Sequence, residues 1–207
     1  ETDAEMSPLL EGLAASGGRA LPMTRSLLQR ISRKNNPQVL IGAFGQRWHV
    51  LKAISDAPDR VWVALDRVRD PGNLGSVMRT ADAVGAAGII LVGDCTDPYS
   101  VEAVRASMGA VFNIRVITCS EAEFISFGAD WSGRVVGAAL PAAVDYREAD
   151  YNGSLIIMMG NEQAGLTLPL MNMCDQLINI PMQGRSDSLN LAVATGVALY
   201  TAVDQRG

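Results

Sequence analysis

Val61-Trp62-Val63-Ala64-Leu65, with Asp70-Pro71-Gly72-Asn73-Leu74-Gly75-Ser76-Val77-Met78-Arg79-Thr80 after it, decides the fold class. An unbroken apolar run of this length, closed by a polar turn, is the pattern of a strand buried on both faces. The turn carries Gly72 and Asn73, and Asn73 is read as the cap of a helix running to Gly85. Leu74, Val77, Met78, Ala81 and Val84 share one face of that helix. The unit then recurs. Gly88–Val92, Ile114–Thr118, Arg134–Ala139, Leu155–Met159 and Leu177–Ile180 are short, apolar and separated by helical patterns. The expected class is α/β: a mostly parallel sheet with helices on both faces. Leu189–Val203 is apolar on most sides and is expected to be a buried helix.

Upstream, Ser7 and Pro8 open a short helix to Ala15, which Gly17 and Gly18 end. Thr24 is placed to cap a second helix, Arg25–Ser32. Its Leu27, Leu28 and Ile31 share a face, with Arg25, Arg30 and Arg33 off it. Val39–Phe44 is a strand candidate. The domain reading is 1–55, a linker at 56–60 around Pro58, and 61–207. Charge follows the same division. The 207 residues carry a net charge of -5, yet residues 12–55 hold seven Lys and Arg and no Asp or Glu. A basic segment precedes an acidic body.

Several classes drop out. No apolar run approaches the roughly 18 residues of a membrane span, and no signal-peptide pattern is present. Cys95, Cys119 and Cys174 are far apart and odd in number, so they read as small buried hydrophobes of a reducing cytoplasm. A single histidine, His49, builds neither a zinc site nor a Ser-His-Asp triad.

Three loops at strand ends concentrate Gly, Asn and charge, where open α/β sheets bind ligands. In the first, Arg79 is either a surface arginine or a phosphate ligand. The second is Gly160-Asn161-Glu162-Gln163-Ala164-Gly165-Leu166-Thr167. It has phosphate-loop glycines but Leu166 where the lysine belongs, which rules out a nucleoside triphosphatase. No Gly-x-Gly-x-x-Gly follows the first strand, which weakens a dinucleotide site. Glu162 is either a solvated loop carboxylate or a group that meets a hydroxyl or a cation. The third loop runs from Ile180-Pro181-Met182 to Ser188-Leu189-Asn190. Ser188 is read as the helix cap. Asn190, polar at the start of an apolar helix, needs a partner in a neighbouring loop or a ligand.

Taken together, Asn73 through Arg79-Thr80-Ala81-Asp82, Gly160-Asn161-Glu162 with Gly165-Leu166, and Ile180-Pro181-Met182 through Asn190 resemble the three signature motifs of the SpoU/TrmH family. These are RNA 2′-O-ribose methyltransferases of the SPOUT superfamily, and the likeness spans about residues 61–203. The resemblance implies a C-terminal trefoil knot, S-adenosylmethionine as methyl donor, no metal, and a homodimer whose subunits share each site. Carried over, Gly160, Ile180, Met182 and Leu189 line the cofactor pocket. Arg79, Glu162, Asn73, Ser188 and Asn190 form the catalytic set. Gln163 departs from the family, which has glycine there; this costs little unless the position needs a positive φ. A guanidinium does not deprotonate in proteins, so Arg79 is assigned to a phosphate or a developing alkoxide rather than to a base.

Residues 7–45 are similar in element order to the second half of an L30-like α/β substrate domain found in relatives. This makes Arg25, Arg30, Arg33 and Lys34 the RNA-binding residues. The chain opens on Glu1, so a longer protein is expected. The expected activity is methyl transfer from S-adenosylmethionine to a ribose 2′-hydroxyl of rRNA or tRNA, in the cytoplasm and away from membranes. The alternatives are a catalytically silent RNA-binding protein on the same knot, and a small-molecule enzyme on an ordinary doubly wound sheet.

Overall fold

The computed structural model describes residues 6–54, 60–140 and 144–207. The chain divides into two units, residues 1–45 and 46–207. In the first, helix α1 (Met6–Ala15) ends at Gly17, whose φ of 78° is the left-handed turn that the double glycine allows. Helix α2 (Arg25–Ser32) starts at Thr24, whose Oγ1 accepts the Leu27 N–H at 3.3 Å. Its apolar face is not buried, because Leu27 and Ile31 are 42% and 51% exposed. The Val39–Phe44 strand does not form. A strand needs a partner for its N–H and C=O groups, and the described residues of this unit contain no second strand. The second unit begins ahead of Val61: the His49 N–H donates to the Val116 carbonyl, and Ile54 is buried. Apart from Arg60, the expected linker 56–60 lies outside the described residues.

The second unit holds β1 (Val61–Asp66), β2 (Gly88–Val92), β3 (Arg115–Cys119), β4 (Arg134–Ala138), β5 (Val144–Asp145), β6 (Leu155–Met159) and β7 (Gln176–Asn179). They form one parallel sheet in the order β3-β2-β1-β6-β4-β7-β5. Successive side chains point to opposite faces, and each face meets its own core. Val61, Val63, Leu65, Ile89, Leu91, Leu155 and Ile157 enter one layer. It is covered by α3 (Pro71–Ala83), α4 (Val101–Ala106) and α7 (Leu191–Asp204). Trp62, Ala64, Ile90, Val92, Ile156 and Met158 enter the other, under α5 (Glu121–Asp130) and α6 (Leu168–Met173). Two covered faces explain why the strands read as continuous apolar runs. Each large side chain so buried stabilises the fold by about 1.5–3 kcal/mol.

Close packing of α3 on α4 depends on Gly75. A Cβ there would sit 2.4 Å from the Ala103 carbonyl oxygen and 2.5 Å from the Ala106 Cβ. Gly75→Val is therefore expected to cost about 1–3 kcal/mol through overpacking, read as a lowered Tm in thermal denaturation. An unchanged Tm would contradict this packing.

The strand order positions the site. β6 lies between β1 and β4, and β7 lies on the far side of β4. The carboxyl ends of β1, β6, β4 and β7 are consequently neighbours, and the Asn73, Glu162 and Asn190 loops leave from that edge.

Candidate functional site

Asp70, not Asn73, caps α3. Its Oδ1 accepts the Asn73 N–H at 2.6 Å, and Pro71 occupies the first turn. Aspartate caps as well as asparagine, and proline is preorganised for that position. The Asn73 side chain is thereby released to face the neighbouring loops. Its Nδ2 donates to Glu162 Oε1 at 3.2 Å, and its Oδ1 accepts from Asn190 Nδ2 at 2.9 Å. Asn190 in turn caps α7, its Oδ1 taking the Ala192 and Val193 N–H groups at 2.9 and 3.3 Å. The cap expected at Ser188 is thus two residues late. Asparagine is at least as good a cap as serine, and here it also completes the bond to Asn73. One residue from each motif joins a single polar chain, Asn190 to Asn73 to Glu162.

The Glu162 loop is held by its own main chain. Asn161 Oδ1 accepts the Gln163 and Ala164 N–H groups, both at 3.0 Å. Asn161 and Gly165 exchange backbone hydrogen bonds of 3.2 and 2.9 Å. Gly165 has a φ of 67°, which explains the glycine; Gln163 is not among the positive-φ residues, so its departure from the family pattern carries no backbone strain.

Sequence reasoning passed over the pair that anchors this loop. Asp66, 1% exposed at the end of β1, takes a bidentate contact from Arg67 at 2.8 and 2.9 Å. Arg67 Nη2 also donates to the Gly165 carbonyl at 3.2 Å, and the Arg67 carbonyl accepts from Asn161 Nδ2 at 2.9 Å. The available signal was a carboxylate ending an otherwise apolar buried strand, which demands a partner.

Arg79 and Ser188 stand apart from the network. Both are exposed, and neither side chain makes a hydrogen bond or ion pair among the described residues. Arg79 lies six residues beyond Asn73, which places it about 9 Å along α3 and about 120° around it. The cysteines offer no nucleophile: burial pushes Cys95 up to about 11 and Cys119 and Cys174 up to about 12, so each is a neutral thiol near pH 7. Among the described residues no group of three His, Cys, Asp or Glu side chains could hold a metal ion. No helix among them is long and apolar enough to cross a membrane.

The SpoU rRNA Methylase family matches residues 60–200, the stretch that contains the sheet and all three loops. This chain belongs to the SpoU family. A SpoU relative, the 23S rRNA (guanosine-2'-O-)-methyltransferase RlmB of Vibrio vulnificus, is 31% identical over 210 residues, covering 99% of this chain and 85% of that protein. The 23S rRNA (uridine(2479)-2'-O)-methyltransferase of Streptomyces viridochromogenes is 32% identical over 196 residues, covering 90% of this chain and 67% of that protein. The crystal structure of an AdoMet-bound rRNA methyltransferase from Sinorhizobium meliloti matches with a TM-score of 0.92 at 46% identity, over 96% of this chain and 78% of that one.

The residues that the SpoU resemblance assigns to the cofactor lie on the loops that leave β6 and β7. Gly160 directly follows β6, Ile180 and Met182 follow β7, and Leu189 precedes the α7 cap. Ile180 and Met182 are half-buried, and Leu189 is 37% exposed. Leu140, just beyond β4 and 68% exposed, adds an apolar side chain on the same edge that sequence reading did not single out. Residues 181–189 make no hydrogen bond among the described residues, which leaves main-chain donors and acceptors uncommitted. Apolar side chains beside free main-chain groups fit a flat heterocycle with polar edges, and S-adenosylmethionine carries one.

Proposed function

We propose that this chain transfers the methyl group of S-adenosylmethionine to a ribose 2′-hydroxyl of large-subunit ribosomal RNA. Membership of the SpoU family makes it an S-adenosylmethionine-dependent RNA 2′-O-methyltransferase; the large-subunit assignment follows the names of its relatives. The observation that carries the reading is the Asn190–Asn73–Glu162 chain, which draws all three motifs to one edge. When bound, S-adenosylmethionine supplies an electrophilic methyl carbon. Ile180, Met182, Leu189 and the main chain at Gly160 hold it. Glu162, oriented by Asn73, accepts a hydrogen bond from the ribose, and Ser188 lies on the third loop, two residues before Asn190. Arg79 takes the adjoining phosphate with its planar fork. Holding the hydroxyl in line with the methyl group is the main catalytic contribution.

The active form is a homodimer, and the enzyme works in the cytoplasm, where ribosomal RNA is the substrate. Val193, Tyr200 and Val203 form an exposed apolar stripe on α7, 52%, 57% and 36% exposed, continued by Leu189. A contiguous stripe of this kind is the mark of an interface. Arg79 faces away from the Glu162 network, so the site is completed across that interface. We also read the C-terminal half as a trefoil knot, supported by the placement of β6 between β1 and β4 and by the return of α7 onto α3.

The direct test is transfer of tritiated methyl groups to unmodified 23S rRNA, 16S rRNA and tRNA. Label is expected in 23S rRNA, at an alkali-resistant linkage. Label confined to tRNA would move the substrate, and no label in any RNA would overturn the reading. The domain reading, 1–55 as substrate arm, 56–60 as linker and 61–207 as catalytic body, stands within this proposal. The basic arm is the trailing part of an L30-like domain, with Arg25, Arg30, Arg33 and Lys34 exposed on it. Replacing Arg30, Arg33 and Lys34 by Gln is expected to flatten the plot of log affinity against log salt by about 2, at about 0.7 per single-strand phosphate lost. Filter binding across a salt series measures it, and an unchanged slope would place the RNA path elsewhere.

A further inference from the structure

Trp48 is 47% exposed, whereas Trp62 and Trp131 are buried. It stands on residues 46–50, which run beside β3 through a parallel bridge from His49 to Ile117. An exposed tryptophan on a loose segment would mean little, but this one is fixed from several sides. Its ring meets Tyr99 edge-on at 4.9 Å and 80°. Its Nε1 donates to Gln46 Oε1 at 3.0 Å. The Tyr99 hydroxyl accepts the Arg47 N–H at 3.2 Å and donates to the Arg47 carbonyl, which pins the main chain beneath the indole.

The indole walls a cleft of about 290 Å³ whose other sides include Gly93, Thr96, Asp97 and Thr118. That lies at the small end of the roughly 300–1,000 Å³ range of ligand sites and suits one planar ring. The polar groups around it are ordered and only half used. Asp97 Oδ1 accepts the Tyr99 N–H at 2.8 Å, which leaves Oδ2 as an acceptor. Gln46 Oε1 is taken by Trp48, so the Gln46 amide nitrogen is left as a donor. The Arg47 guanidinium makes no ion pair among the described residues.

The cleft belongs to the same edge as the methyl-transfer site. It opens at the carboxyl ends of β2 and β3, two and three strands from β6. At about 4.8 Å per strand that is about 10–15 Å from Gly160. The rim between is continuous: Gly93 lies against Arg67, where an added Cβ would sit 3.1 Å from the Arg67 Cγ, and Arg67 bonds the Gly165 carbonyl.

We propose that this cleft holds one unpaired nucleobase of the RNA substrate, a short single-stranded step from the methylated ribose. The base stacks on Trp48, gives an amino proton to Asp97 and accepts from Gln46, while Arg47 meets its phosphate. Stacking on an aromatic side chain is the usual means of gripping single-stranded RNA, and a carboxylate reads the exocyclic amino group of cytosine. The proposal rests on the RNA-methylating reading above and adds a specificity site to it.

The test uses the full chain with pentacytidylate and pentauridylate as probes. Of the three tryptophans only Trp48 is open to a base, so pentacytidylate is expected to quench tryptophan emission saturably. Pentauridylate, lacking the amino group, is expected to bind more weakly, and Asp97→Ala to abolish the difference. Trp48→Ala is expected to raise KM for RNA by about 5- to 150-fold, the range of one base stack. Its kcat and its affinity for S-adenosylhomocysteine stay unchanged, and Trp48→Tyr restores most of the loss. Emission unmoved by pentacytidylate, or a wild-type KM in Trp48→Ala, would overturn the base site and leave the cleft to a protein contact. A wild-type chain that methylates no RNA would instead sink the functional reading.

Discussion

Arg79→Ala is expected to lower the single-turnover rate of methyl transfer by about 10², the loss that follows a misplacement near 1 Å when the phosphate beside the target ribose is no longer held. The side chain is exposed on α3 and has no hydrogen bond or ion pair among the described residues, so it supports no packing. Its removal should leave Tm within the small range of ordinary surface substitutions, about 0.5 kcal/mol. Affinity for S-adenosylhomocysteine, measured by calorimetry, should be unchanged, because the residues proposed to hold the cofactor lie on the loops after β6 and β7. Arg79→Lys keeps the charge but loses the fork that grips two phosphate oxygens, so it should recover only part of the rate. A variant that transfers methyl at the wild-type rate would remove Arg79 from the site.

The sheet was readable because its physics is local. Strands covered on both faces are unbroken apolar runs, and the helix after β1 shows its buried stripe at helical spacing. Strand order was not readable, since parallel pairing between β1 and β6 joins residues some ninety positions apart with no turn to mark it. The β5 strand, two residues long, falls below any periodicity. Val39–Phe44 failed for the opposite reason: its composition suits a strand, but a strand is a property of a pair.

The site was legible as residue types and misread in its details. Asn73 and Asn190 stood out as polar groups at helix starts, and Asn190 has the partner in a neighbouring loop that its place demanded, but the caps were misplaced: Asp70 rather than Asn73 caps α3, and Asn190 rather than Ser188 caps α7. Several residues near a helix start can cap it, and only the positions of the other loops decide which one does. Asp66 and Arg67 were missed because adjacent residues in a strand normally point to opposite faces. They pair because Arg67 leaves the strand in the left-handed region, with a φ of 49°.

Gly160→Ala is expected to reduce kcat/KM by about 10², the cost of a misplacement near 1 Å in a site that works by positioning. A Cβ at this position would stand 2.3 Å from both the Gly165 carbonyl carbon and the Leu166 nitrogen. Both are main-chain atoms, so no rotamer change relieves the collision. The loop cannot swell easily either, since Asn161 and Gly165 close it with two backbone bonds and Arg67 holds the Gly165 carbonyl. It must shift as a body, carrying Glu162 away from Asn73 and the Gly160 main chain away from the proposed cofactor site. Affinity for S-adenosylhomocysteine should fall along with the rate, which separates this variant from Arg79→Ala. Overpacking of this kind costs about 1–3 kcal/mol; at about 2–4 °C per kcal/mol for a chain of this size, Tm should drop by about 2–12 °C and leave a folded protein. Gly165→Ala is the control. Its Cβ meets nothing within 4 Å, and its φ of 67° charges only the left-handed penalty of about 1–2 kcal/mol. Stability should therefore fall comparably in the two variants while cofactor binding fails mainly in Gly160→Ala. Equal binding in both would mean that the close approach at Gly160 serves the fold and not the cofactor.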